Sequence, residues 1–176
     1  MKMHKTLAAF AAAGALAVAG CGDDDPGETA AGNGTDRAFV AEMIPHHEGA
    51  VEMAEIARTR GQSPFVMGLA EDIIRTQRQE ITELRSEDEE LADAGVKPGK
   101  LGGGHSGMGM SEDTASLKTA DPFDRAFLEM MLPHHSSAVE MAKTELAEGE
   151  DPELKALAQK IIDAQEREIR AMREQL

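Results

Sequence analysis

Asp36-Arg-Ala-Phe-Val-Ala-Glu-Met-Ile-Pro-His-His-Glu-Gly-Ala-Val-Glu-Met-Ala54 returns 88 residues later as Asp124-Arg-Ala-Phe-Leu-Glu-Met-Met-Leu-Pro-His-His-Ser-Ser-Ala-Val-Glu-Met-Ala142. At the same offset, and without a gap, residues 36–85 align with 124–173, and 23 of these 50 positions are identical. Gly61 matches Gly149, Pro64 matches Pro152, Gln77 matches Gln165 and Glu80 matches Glu168. A match of this length without a gap means two copies of one supersecondary unit.

The unit reads as a helical hairpin. Leu69, Ala70, Ile73, Ile74, Ile81 and Leu84 recur at helical spacing, as do Leu157, Ala158, Ile161, Ile162, Ile169 and Met172, and no strand alternation competes. Ser63-Pro64 and Asp151-Pro152 read as an N-cap followed by Pro at the first helical position. Gly61 and Gly149 suit the ends of the preceding helices. The predicted helices run from about Asp36 to Arg60, Pro64 to about Ala94, about Pro122 to Glu148, and Pro152 to the C-terminus. The fold class is all-α: two hairpins, 36–94 and 121–176, forming one four-helix bundle with approximate internal twofold symmetry. Between them, 95–120 holds Gly102-Gly-Gly-His-Ser-Gly-Met-Gly-Met110 and reads as a long flexible linker.

The N-terminus reads as an export signal. Lys2 and Lys5 precede an apolar Leu7–Val18 stretch too short to span a bilayer securely. It ends in Val18-Ala-Gly-Cys21, a lipobox pattern, with an ordinary signal peptide and an incidental Cys as the alternative. The expectation is a lipoprotein signal peptide at 1–20, lipidation of Cys21, and a flexible acidic tether at 21–35. The protein would then sit outside the cytoplasm at the cell envelope, touching the membrane through its lipid anchor alone. Cys21 is the single cysteine, so an internal disulfide is excluded and metal ligands must be Met, His or carboxylate. The formal net charge is −15 and argues against nucleic acid as a partner. With no Trp or Tyr, recognition by stacking has little support.

Four of the six histidines lie in the repeated phrase, and each pair is flanked by Met. Imidazole with thioether is a ligand set for soft ions, above all Cu(I) and by extension Ag(I). The candidate ligands are His46, His47, His134 and His135 with Met43, Met53, Met131 and Met141. Helical spacing puts Met43 with His47 and Met131 with His135, one turn apart. Whether the two copies build one shared site or two separate ones is left open. Pro45 and Pro133 lie within the helices and predict a bend or a restart. Gln77, Glu80, Gln165 and Glu168 lie in or beside the apolar stripe of the second hairpin helix. They are candidates to hold the far nitrogens of metal-binding histidines, or else to hydrogen bond helix to helix. Glu52 and Glu140 point away from the stripe. His105, Met108 and Met110 of the linker either recruit a soft ion or merely sit there.

At these residues the chain resembles the bacterial family DUF305, whose pattern Met-x-x-His-His-x-x-Ala-x-x-Met-Ala often occurs twice. Here it is Met43 to Ala54 and Met131 to Ala142. The resemblance covers about 36–173 and implies a ferritin-like four-helix bundle. Some family members resemble copper-binding resistance proteins, which implies copper sequestration, tolerance or delivery without turnover, and a copper donor or acceptor protein as partner. An oligomer is compatible with the sequence. Two readings compete. A di-iron oxidase needs Glu-x-x-His on two helices, whereas Glu42 lies four residues before His46, its counterpart is Met130, and Glu80 and Glu168 have no His three residues on. An envelope interaction module would use His and Met only for packing.

Overall fold

The computed structural model describes residues 32–101 and 114–176. The signal segment, Cys21, most of the tether and the His105, Met108 and Met110 group lie outside the described residues. Five helices occur among those described: α1 (Gly34–Arg60), α2 (Pro64–Asp93), α3 (Thr114–Thr119), α4 (Phe123–Glu148) and α5 (Pro152–Arg173). Helices α1 with α2 and α4 with α5 form the two hairpins, and these meet chiefly along α1 and α4. Asn33, before α1, donates through its side chain to the carbonyl of Glu148 at the end of α4, at 2.8 Å. At the opposite end Arg60 donates to the carbonyl of Ala120, ahead of α4. The central helices are therefore antiparallel, as a twofold axis perpendicular to them requires.

The start signals work as the sequence predicts. Ser63 accepts from the Val66 N–H, and Asp151 from those of Glu153 and Leu154. Helix α1 begins two residues before Asp36, because Asn33 and Asp36 cap each other reciprocally. Gly61 and Gly149 do close α1 and α4, but not through a left-handed turn. Their φ values are −54° and −69°. The need for glycine is steric: a Cβ would meet the Ala57 carbonyl at Gly61, and the Glu145 and Asp36 carboxyls at Gly149.

Both α1 and α4 run unbroken through Pro45 and Pro133, so no restart occurs. Each proline frees the carbonyl four residues back, at Ala41 and Glu129. Both of those residues are exposed, so solvent can satisfy the lost bond.

The 95–120 connection is only partly what its composition suggests. Its described ends are built into the bundle. Leu101 and Leu117 are buried in the core, Gly99 N–H donates to the Gly34 carbonyl, and α3 packs on α1 and α4. Arg60 donates to the Leu117 carbonyl and lies over the Phe123 ring.

The repeats also lock into one another. Asp124, the first polar residue of α4, accepts from the N–H groups of Gln62 and Ser63 in the first hairpin's loop. Its counterpart Asp36 accepts from Glu150 and Asp151, the equivalent loop residues of the second hairpin. Phe39, Met43 and Ile73 from one repeat, and Phe127, Met131 and Ile161 from the other, are fully buried in a shared core.

Candidate metal centre

The crossing of α1 and α4 puts His46 against its own repeat mate. The His46 and His134 ring centroids are 3.8 Å apart and tilted by 41°. His47 and His135 flank them, with centroids 6.3 and 6.4 Å from their neighbours in sequence. All four imidazoles are buried. One helical turn before each pair's second histidine, Met43 and Met131 are fully buried, and two turns after each first histidine, Met53 and Met141 are buried too. The structure thus joins the His pairs of both repeats in one buried cluster, with the four methionines on the same two helices.

The glutamates behave as a matched pair. His47 Nε2 lies 2.8 Å from Glu80 Oε2, and His135 Nε2 lies 2.6 Å from Glu168 Oε2. Each carboxylate comes from the second helix of the same hairpin, so each hairpin carries its own His–Glu contact. Gln77 and Gln165 are buried one turn earlier but hydrogen bond to no histidine, and Gln77 Oε1 and both amide atoms of Gln165 lack partners. Glu52 and Glu140 are exposed, pairing with Lys118 and Lys143.

Electrostatics keep the central rings neutral. Burial, then the neighbouring His47 and His135, lowers His46 to about 3, against a smaller opposing pull from the His134 backbone. Burial, then His46, His135 and His47, lowers His134 to about 2. A neutral imidazole has a lone pair to give to a metal; a protonated one does not.

The donor set fits a soft ion. Nδ1 of His46, His47, His134 and His135 is buried without a hydrogen-bond partner in every case. Among the described residues, no three His, Asp or Glu ligand atoms at this crossing lie within 4.8 Å of one another. A closed tetrahedral nitrogen and oxygen cage of the kind Zn(II) takes is therefore not assembled. Low-coordinate binding by imidazole with thioether suits Cu(I) or Ag(I). Glu87, Glu90 and Glu153 do bring three carboxylate oxygens within that distance, but at the bundle surface.

Sequence reasoning missed two features here. Ser137 Oγ lies 2.7 Å from His46 Nε2. Glu145 is fully buried and paired with Asp36. Both stand at positions where the repeats differ, facing Gly49 and Ala57 in the alignment.

A four-helix bundle built from two interlocked hairpins, with paired histidines and methionines buried at its twofold crossing, defines an all-α protein with a soft-donor core. The chain belongs to the DUF305 family: the sequence profile described as "Domain of unknown function (DUF305)" matches residues 36–176. It is similar to CopM in its Cu(I)-bound form, at 35% identity and a TM-score of 0.68, covering 79% of this chain and 93% of that one. CopM has also been solved in Cu(II)-bound and Ag-bound forms. A DUF305 fragment from Deinococcus radiodurans is similar at 32% identity and a TM-score of 0.65, covering 80% and 93%. An uncharacterized protein, L153, of Acanthamoeba polyphaga mimivirus is 42% identical over 51 residues. That match spans 29% of this chain and 34% of the viral protein.

Proposed function

We propose that this chain binds copper and silver ions at the cell envelope, held there by lipid on Cys21, and sequesters or delivers them without turnover. The carrying observation is the cluster of four buried imidazoles, each with Nδ1 free, on helices that also bury four methionines. The likeness to CopM, solved with Cu(I), Cu(II) and Ag, supports the same reading. His46, His47, His134 and His135 are the nitrogen ligands, and Met43, Met53, Met131 and Met141 supply sulfur. Glu80 and Glu168 orient two of the rings. A donor or acceptor protein for the ion follows from the sequester-or-deliver role.

The bound ion supplies no step beyond its own coordination; the protein supplies a dry, neutral nitrogen and sulfur environment. The test is competition titration of the purified domain with a Cu(I) chelator, beside Zn(II). Cu(I) should bind more tightly than Zn(II). Replacing the four histidines with Ala should abolish tight binding, and replacing the four methionines with Leu should erode the Cu(I) preference while keeping the fold, since that swap conserves volume. Unchanged Cu(I) affinity without the histidines would sink the reading. For the anchor, Cys21→Ser should release the chain from the membrane fraction; a wild-type chain already soluble would refute it.

A further inference from the structure

Gln77 and Gln165 are buried polar residues that the proposed function leaves unused. Each sits at the centre of an apolar stripe, among Ile73, Ile74 and Ile81 in α2 and Ile161, Ile162 and Ile169 in α5. Gln77 Oε1 and both amide atoms of Gln165 have no hydrogen-bond partner. A buried amide without a partner carries its full desolvation cost, and a leucine there would carry none. Both repeats nevertheless keep glutamine at this position. The cost is relieved in a state where the amides meet water.

The centre needs such a state. Its four imidazoles are at most 3% exposed, so no ion reaches them without a movement of the bundle. The α1–α4 side is the tighter one: these helices form the main contact between the hairpins, and α3 packs on both. Helices α2 and α5 touch far less.

The surface link to the rings lies on that looser side. Arg78 and Arg85 pair with Glu55 and Glu48 of α1 and so mark the flank of α2 that faces α1. Glu80 lies about 160° around the helix from Arg78, on the opposite flank. Its side chain is 14% exposed while it contacts the fully buried His47 ring, and Glu168 is 19% exposed against His135. Each glutamate follows its glutamine by one turn. Parting α2 from α5 would hydrate the amides and bare both His–Glu contacts together.

We propose that Gln77 and Gln165 keep the α2–α5 side of the metal-free bundle poised to open, and that this opening admits the ion to the buried centre. This rests on the metal-binding reading above and adds the route of entry. Local openings of this kind draw on the least stable contacts of a fold, and unpartnered amides in the middle of two apolar stripes supply them.

The test is hydrogen exchange on the metal-free full chain, followed by the rate at which Cu(I) passes from a chromophoric chelator to the protein. In wild type the amides of 77–81 and 165–169 should exchange faster than those beside Phe39 and Phe127. Gln77→Leu with Gln165→Leu removes the unpartnered amides. It should slow that exchange roughly tenfold or more, the size of one buried polar group's desolvation. Cu(I) uptake should slow in step, with the final affinity unchanged. Gln165→Glu should act in the opposite sense and speed both, which covers the case where two leucines overpack the layer. Circular dichroism verifies the helices of each variant. Amides of 77–81 and 165–169 as protected as those beside Phe39 and Phe127, or exchange unchanged in a well-folded variant, would overturn the opening. Slower exchange with Cu(I) uptake at the wild-type rate would overturn its role as the route. If wild type takes up no Cu(I), the metal reading fails and the route with it, while the metal-free exchange still decides on the opening.

Discussion

His47 with Glu80 and His135 with Glu168 are the same contact made twice, once in each hairpin. A carboxylate on the far nitrogen fixes the ring's orientation and tautomer and makes the other nitrogen a better donor. Glu80→Gln and Glu168→Gln keep the shape but remove the charge, and the amide can present either a donor or an acceptor to Nε2. Each should weaken Cu(I) binding by roughly 10- to 100-fold, the usual size for such supporting groups. A chelator competition that finds both variants at wild-type affinity would reduce the glutamates to a structural bond between helices. These contacts were legible in the sequence because both copies keep His and Glu at the same positions. Ser137 was not, for the same reason. Comparing repeats reveals what the copies share, and Ser137 faces Gly49 in the alignment.

At the scale of the helix, two glycines in opposite surroundings should respond oppositely. Gly68 lies exposed in α2, and a Cβ there meets nothing within 4 Å. The second repeat already has Ala156 at that position. Gly68→Ala should stabilise the fold by about 0.5–1 kcal/mol, the helix-interior cost of glycine. Gly149 has an ordinary negative φ, so backbone freedom is not its role. A Cβ there would collide with Glu145 and Asp36, two carboxyls that pack at the repeat boundary. Gly149→Ala should therefore destabilise by about 1–3 kcal/mol, as overpacking does. Urea unfolding of both variants checks the pair; a stabilised Gly149→Ala would show that the carboxyls move aside freely. Helix ends were mostly legible, since Ser63-Pro64 and Asp151-Pro152 act through local hydrogen bonds. The six-residue α3 was not, because its one buried residue, Leu117, gives no period to read.

Across the whole molecule, the repeats meet at a buried pair of acids whose ionisation sets how stability follows pH. Glu145 on α4 is fully buried, and neither oxygen has an N–H partner. It faces Asp36 on α1, which accepts from the backbone N–H groups of Asn33, Glu150 and Asp151. Asp36 thus keeps its charge: burial pushes it up, but hydrogen bonds from Glu145 and the backbone outweigh that and leave it lowered. Glu145 carries the proton. Burial, then the hydrogen bond to Asp36 and the charges of Asp36 and Asp151, raises it to about 9, with Lys155 pulling the other way. The unfolded chain releases that proton near 4.5. Stability from Glu145 is therefore complete below pH 4.5 and lost as pH rises toward 9. Glu87, raised to about 7 chiefly by burial and then by Asp151, Glu90, Glu153 and Glu83, has the same sign. His46 and His134 have the opposite sign. Their pKa values fall from 6.5, so their contribution is present above that pH and lost as pH drops toward 3 and 2. The metal-free protein should be most stable between roughly pH 4.5 and 6.5, where these slopes offset one another, and should weaken above pH 7. One proton accounts for a slope of about 1.4 kcal/mol per pH unit. Glu145→Gln keeps a donor toward Asp36 and cannot ionise, so it should flatten the decline between pH 7 and 9 while leaving the acid side unchanged. Urea unfolding of the metal-free chain at pH 5.5, 7 and 8.5 makes the comparison. If wild type and Glu145→Gln lose stability in parallel above pH 7, the proton is not held at Glu145.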